Sequence, residues 1–222
     1  MRAVHKMKRN PGRPAGVDGD ARERLLTAAT EIFAAQGVAA TTFAAIAKRA
    51  ELTPAMMHYY FKDREQLLDC VVEEKIAPLI ASVWSPVEPG VAPEELIRGI
   101  VARLVAGIEH NPWVPSTWMR ELLNEGGLLR GRVLRKLPFD KVRILSEAIA
   151  QAQARGAIQA DLDPVLMVFS MLGLVMLHHA TAPLFAEVFH RKEPSPQAIG
   201  RHITALLLDG LKPSGKTPRK KK

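Results

Sequence analysis

Between Thr41 and Arg64 the sequence TTFAAIAKRAELTPAMMHYYFKDR holds two short helical patterns only about three residues apart. In the first, Phe43, Ile46, Ala47 and Ala50 fall on one face. The second opens with Thr53 as an N-cap and Pro54 at the first helical position, where a missing N–H is tolerated, and runs to about Tyr60. Small alanines let a second helix cross closely, with Met57 and Phe61 anchoring it from below. Two helices this short, joined this tightly, have few ways to pack. The pattern predicts a helix-turn-helix whose second helix enters a DNA major groove.

The rest of the chain reads as helices separated by Gly and Pro, with no strand-like alternation, so the expected fold is all-α with about nine helices. Asp20 and Glu23 have capping-box spacing, and Leu25, Ala29, Ile32 and Phe33 continue one face until Gly37 stops the helix. A fourth helix starts at Asp63, with Gln66 completing its cap, and Pro78 should kink or end it. After the Pro-rich loop Ser85–Pro93 come helices over Glu94–His110, Pro115–Glu125, Leu128–Leu137, Phe139–Ala154, from Asp163 onward, and Gln197–Leu211.

The net charge of +8 is concentrated at the ends. Residues 1–17 carry five Lys/Arg and residues 212–222 carry six, with no acid in either. These eleven charges leave −3 for residues 18–211. Two basic tails attract phosphate or keep a protein soluble, and charge alone does not separate the two. The expected organisation is a basic disordered arm over 1–19, a DNA-binding domain over 20–68, a ligand-binding and dimerisation domain over 69–211, and a basic tail over 212–222. Arg13, within Gly12-Arg13-Pro14, resembles an arm that lies in an A·T-rich minor groove.

Pro164–Ala186 contains no Lys, Arg, Asp or Glu. Ser170, Gly173 and the pair His178-His179 interrupt its apolar run, which favours a buried, interface-forming helix over a membrane span. One cysteine, Cys70, rules out an internal disulfide and fits a reducing compartment, and no secretory h-region follows the N-terminus. Adjacent histidines on a helix diverge by about 100°, so His178, His179 and His190 do not read as a metal set. No catalytic constellation or phosphate loop stands out, and neither an enzyme nor a cofactor is expected.

Residues 22–68 resemble the N-terminal domain of TetR-family transcriptional regulators. The match runs through Arg24-Leu25-Leu26, Ala28-Ala29, Ile32-Phe33, Gly37, Thr41-Thr42, Ile46-Ala47, Leu52-Thr53, Met57, Tyr60-Phe61, Asp63-Arg64 and Leu67-Leu68. The resemblance implies a cytoplasmic, ligand-responsive regulator, nucleoid-associated when bound to DNA. It would be a homodimer through its last two helices, bound to a double-stranded operator and released when a small effector moves the linker helix Arg64–Ile76. On the recognition helix Ala55, Met56 and Tyr59 fall at base-facing positions, and Pro54 belongs to the same DNA-binding set. Thr42, His58, Tyr60 and Arg64 match phosphate-contacting ones. Ala and Met suit thymine methyl groups and make no bidentate pairs.

Two departures stand out. Glu51 occupies the turn position that Gly usually fills, where a Cβ costs about 1 kcal/mol in a left-handed backbone. His58 stands where a Tyr is usual, so a phosphate-contacting position carries a ring that can take up a proton. Trp113, Trp118, Met119, Phe139, Met167 and Met171 are expected to line an apolar pocket for a small apolar or amphipathic effector. The competing reading is a non-specific DNA-architectural or RNA-binding protein acting through its basic tails.

Overall fold

The computed structural model describes residues 15–213, so Arg13 and most of both basic ends lie outside the described residues. Those that are described fold into helices alone. In chain order they form α1 (Ala15–Gln36), α2 (Phe43–Arg49), α3 (Pro54–Tyr60), α4 (Arg64–Val71), α5 (Ala77–Trp84) and α6 (Pro93–His110). Next come α7 (Val114–Thr117), α8 (Arg130–Leu134), α9 (Phe139–Ala154), α10 (Pro164–Phe189) and α11 (Pro196–Leu211). Two π-helical segments, Val72–Ile76 and Trp118–Leu122, join α4 to α5 and extend α7.

Local chemistry explains the boundaries. Thr42 caps α2 by accepting the Ala45 N–H at 3.1 Å. Asp63 caps α4 through the Gln66 N–H at 2.9 Å, while the Gln66 side chain accepts the Lys62 N–H at 2.7 Å. Asp163 caps α10 on the N–H groups of Val165 and Leu166. One boundary differs from the sequence pattern: α1 begins at Ala15, so Asp20 lies inside the helix and the expected arm loses its last residues to it. Gly37, at φ +82°, ends α1.

Pro78 neither ends nor sharply breaks the linker helix. The backbone widens into the π-helical turn just before it, and Ala77 donates to the Val72 carbonyl. The wider turn gives the Pro78 ring room beside the preceding turn, so the helix continues although Pro78 supplies no N–H. A single helical run therefore leads from Arg64 to Trp84.

Two apolar cores result. The first joins α1–α4 through Leu25, Phe33, Ile46, Met57, Phe61 and Leu68, all at most 1% exposed. The second fills the space between α6, α9, α10 and α11. The first core also contains Leu129 and Val133, which come from the distant α8 region. Ion pairs run alongside: Arg132 to Glu65 and Asp69, and Lys136 to Glu73. The segment around α8 is thus packed onto the N-terminal unit by buried leucine and valine and by charge.

α10 is not buried all round. It is long and apolar enough to cross a membrane by length and composition, and only 33% of its most apolar window is buried. Met167, Met171 and Val175 face the core, whereas Leu166, Phe169, Leu177 and Leu184 remain exposed.

Candidate DNA-reading head and effector cavity

The turn between α2 and α3 sets the angle at which α3 is presented. Glu51 adopts φ +55°, the left-handed conformation suited to the glycine usual at this position. Its N–H bonds the Lys48 carbonyl and the Leu52 N–H bonds the Ala47 carbonyl, which together form a Schellman-type helix end. Arg24 of α1 grips the same turn, donating to the Ala50 carbonyl and lying 3.7 Å from the Glu51 carboxylate. A side chain replaces glycine here, and a guanidinium from the neighbouring helix holds the turn in place.

Below α3, Met57 and Phe61 are fully buried. Above it, Pro54, Ala55, His58 and Tyr59 are exposed, and Met56 and Tyr60 are half-buried. Tyr59 is 70% exposed and meets Tyr60 edge-on at 4.8 Å between ring centroids. His58 lies against Phe43 of α2, 5.4 Å between centroids. Thr42 is exposed at the start of α2, but its hydroxyl oxygen is already engaged as the cap. Pro54, Ala55, His58 and Tyr59 thus form the exposed side of α3, opposite buried Met57.

Arg64, expected to face phosphate, is half-buried at the start of α4. Its guanidinium donates to the carbonyls of Val38 and Thr41 and clamps the α1–α2 loop. Two of its donors are spent inside the protein.

Behind the head, a cavity of about 320 Å³ opens between α5, α6, α7, α9 and α10. Its walls include Ile76, Ile80 and Trp84 of the linker run, Trp113 and Trp118 near α7, and Val168, Leu172 and Met176 of α10. No lining residue is charged. Thr117 contributes a hydroxyl that is buried without a hydrogen-bond partner. All three tryptophans of the chain, Trp84, Trp113 and Trp118, lie in this wall.

Of the six residues expected to line the pocket, Trp113, Trp118 and Phe139 do so. Met119 points away and is 38% exposed, because neighbouring residues on a helix face different sides. Met167 and Met171 are absent from the cavity wall and pack in the second core. The contribution of the linker run was not expected. Its apolar residues read as core of either unit, and only the helix continuing past Pro78 brings them to the cavity.

Glu121 is 5% exposed and faces away from the cavity wall. Its carboxylate accepts the N–H groups of Val38 at 2.9 Å and Leu128 at 2.9 Å, with Leu129 at 3.5 Å. Gly127 packs on the same residue, where a Cβ would stand 1.9 Å from the Glu121 carbonyl oxygen. In the sequence, Gly126-Gly127 reads only as a helix stop.

Elsewhere, the Nδ1 atoms of His178 and His179 sit 2.7 Å from the carbonyls of Leu174 and Val175, within their own helix. Burial pushes the His179 imidazole down from the ordinary histidine value.

Residues 25–71 match the family model described as bacterial regulatory proteins, tetR family. The chain is 24% identical over 190 residues to the HTH-type transcriptional regulator UidR of Escherichia coli K12, covering 84% of this chain and 92% of UidR. It is 24% identical over 208 residues to the HTH-type transcriptional repressor KstR2 of Mycolicibacterium smegmatis, covering 90% and 93%. Among solved structures, the ketosteroid regulator KstR2 of Mycobacterium tuberculosis superposes with a TM-score of 0.68 at 20% identity, covering 90% and 97%. FadR of Bacillus subtilis in complex with stearoyl-CoA superposes at 0.63 with 18% identity, covering 86% and 99%.

Proposed function

We propose that this chain, a transcriptional regulator of the TetR family, is a ligand-responsive repressor that leaves its operator when a small, uncharged and largely apolar molecule enters the cavity. One observation carries the reading. The helical run that starts behind the recognition helix at Arg64 ends as a wall of the cavity at Ile76, Ile80 and Trp84. A guest that displaces those side chains acts directly on the support of the head.

The chemistry of the walls narrows the guest. Charged groups transferred there would lose their hydration with nothing in return, so the cavity selects hydrocarbon or aromatic bulk. The stearoyl-CoA seen with the B. subtilis FadR pairs an acyl chain with phosphates. The cavity here suits the first part and offers the second nothing.

On the DNA side, Ala55, Met56 and Tyr59 face bases by apolar contact, and Thr42, Pro54, His58 and Tyr60 set the approach to the backbone. Arg64 positions the loop instead of touching phosphate. The functional unit is a homodimer in the cytoplasm. Exposed Leu166, Phe169, Leu177 and Leu184 of α10 and Leu206 of α11 form an apolar surface that a second copy covers, through the last two helices. Such a dimer on a palindromic operator draws specificity from half-site spacing as well as from contacts. The architectural alternative is not favoured, because the head's pattern, not the tails, carries the resemblance to repressors.

The test is operator selection from fragmented genomic DNA, followed by gel shifts over a salt series with the full chain and with a chain trimmed of 1–14 and 214–222. A repressor keeps a specificity ratio above about 10³ at physiological salt after trimming. Loss of all sequence preference on trimming would overturn the reading.

A further inference from the structure

We propose that Glu121 is the latch through which the head senses whether the cavity is occupied. The inference rests on the cavity being the effector site, and it concerns how occupancy is transmitted. Glu121 lies in the π-helical segment Trp118–Leu122, whose first and last residues, Trp118 and Leu122, form part of the cavity wall. Its own carboxylate reaches the other way. One oxygen takes the Val38 N–H of the head, and the other takes the Leu128 N–H that leads into α8.

Val38 is an effective point to hold. It is fully buried, and Arg64 grips its carbonyl while Glu121 grips its amide. The short loop from Val38 leads directly to Thr42, the cap of α2, and α2 positions α3. A carboxylate accepting several backbone N–H groups is a directional contact that weakens quickly with displacement. A nonspecific apolar contact would give way gradually.

The segment beyond Glu121 strengthens the connection. Val133 belongs to the head's core and also to the cavity wall. A single strut therefore touches both sites. The π-helical turn is the part able to change. Rewinding it as ordinary α-helix removes one residue from the turn, rotating the downstream residues by roughly 100°. Gly127, packed on the Glu121 carbonyl, leaves no slack on the other side. A guest that shifts Trp118 or Leu122 thus moves the carboxylate relative to Val38.

The test uses the full-length protein and N-phenyl-1-naphthylamine, an uncharged aromatic fluorophore, as the cavity probe. Tryptophan emission reports its binding, since all three tryptophans line the cavity. Amide hydrogen exchange is then followed with and without the probe in wild type and in Glu121→Gln. The latch predicts that the probe speeds exchange of the 37–41 peptide by about tenfold or more in wild type while the α1 core peptides stay unchanged. Glu121→Gln should start with faster exchange at 37–41 and show no further response. If the probe binds and leaves 37–41 unchanged in wild type, the latch is overturned and the cavity reading stands. An equal response in Glu121→Gln also overturns it. If the probe leaves tryptophan emission unchanged, the cavity reading falls and the latch falls with it. The wild-type comparison decides even where the variant folds poorly.

Discussion

The carboxylate of Glu121 accepts the backbone N–H of Val38 at 2.9 Å, joining residues 83 positions apart. Replacing Glu121 with Ala leaves the buried amides of Val38 and Leu128 without acceptors, which should destabilise the protein by about 2–4 kcal/mol. Glu121→Gln keeps one acceptor oxygen and should lose roughly half as much. Urea unfolding of the two variants against wild type measures this. A loss below about 1 kcal/mol in Glu121→Ala would mean that the bond is not intact in solution.

The turn at Glu51 allows a prediction of the opposite sign. Glycine at φ +55° relieves the Cβ clash, and the carboxylate removed is exposed and 3.7 Å from Arg24, a pair that contributes little. Glu51→Gly should therefore stabilise the fold by about 0.5–1 kcal/mol. A lower urea midpoint in the variant would show instead that Arg24 depends on the Glu51 side chain.

The reading head was largely legible in the sequence. Its cap at Asp63 and its buried Met57 and Phe61 follow from spacing and side-chain chemistry within a few residues, whereas Thr53, read as an N-cap, makes no side-chain cap bond. Contacts that depend on distant segments meeting were not legible. Arg64 fits a phosphate-facing pattern, and its bonds to the Val38 and Thr41 carbonyls, 26 and 23 residues away, could not be read beside it. Met167 and Met171 have the right chemistry for a pocket, but the rotation of α10 about its axis turned them inward. Glu121 shows in the sequence only as a charge beside Arg120 and near Trp118, because its partners lie 83 and 7 residues away.

Tyr59 and Arg64 should separate on mutation. Tyr59→Ala removes an exposed side chain from the groove-facing surface, so operator affinity should fall by about tenfold or more with unchanged stability. Arg64→Ala should lower stability and leave the salt dependence of binding unaltered, since no phosphate contact is lost. Unfolding curves and gel shifts over a salt series distinguish them. A salt slope reduced by about one in Arg64→Ala would restore the phosphate role.

His179 should make the fold sensitive to acid. Burial is the main cause of its lowered pKa, with the charge of neighbouring His178 adding and the Val175 carbonyl opposing. From α11, His202 faces His178 at 6.0 Å between ring centroids. The unfolded chain takes up a proton that the folded imidazole resists. Stability is therefore present above the ordinary histidine value and is lost as pH falls through the folded one. Between about pH 7.5 and about pH 5.5, His179→Met should lose less stability than wild type. Identical losses on urea unfolding would show that His179 does not set the acid response.

Filling the cavity should silence the response without touching the head. Leu172 lines the cavity from α10, and Leu172→Trp occupies space that a guest needs. The variant should bind N-phenyl-1-naphthylamine at least about tenfold more weakly while keeping DNA affinity within about twofold, since the two sites share no side chain at that position. Loss of DNA binding in step with probe binding would place the defect in folding.

Occupancy of the cavity should release DNA, and this coupling can be measured directly. A labelled, selected operator bound to the full-length protein is followed by fluorescence anisotropy during titration with uncharged apolar compounds. Their binding in the cavity is followed in parallel by tryptophan emission. Compounds that fill the cavity are expected to lower operator affinity by about 5–150-fold, and operator DNA should weaken their binding by the same factor. Compounds that saturate the tryptophan signal and leave operator affinity unchanged would contradict the coupling.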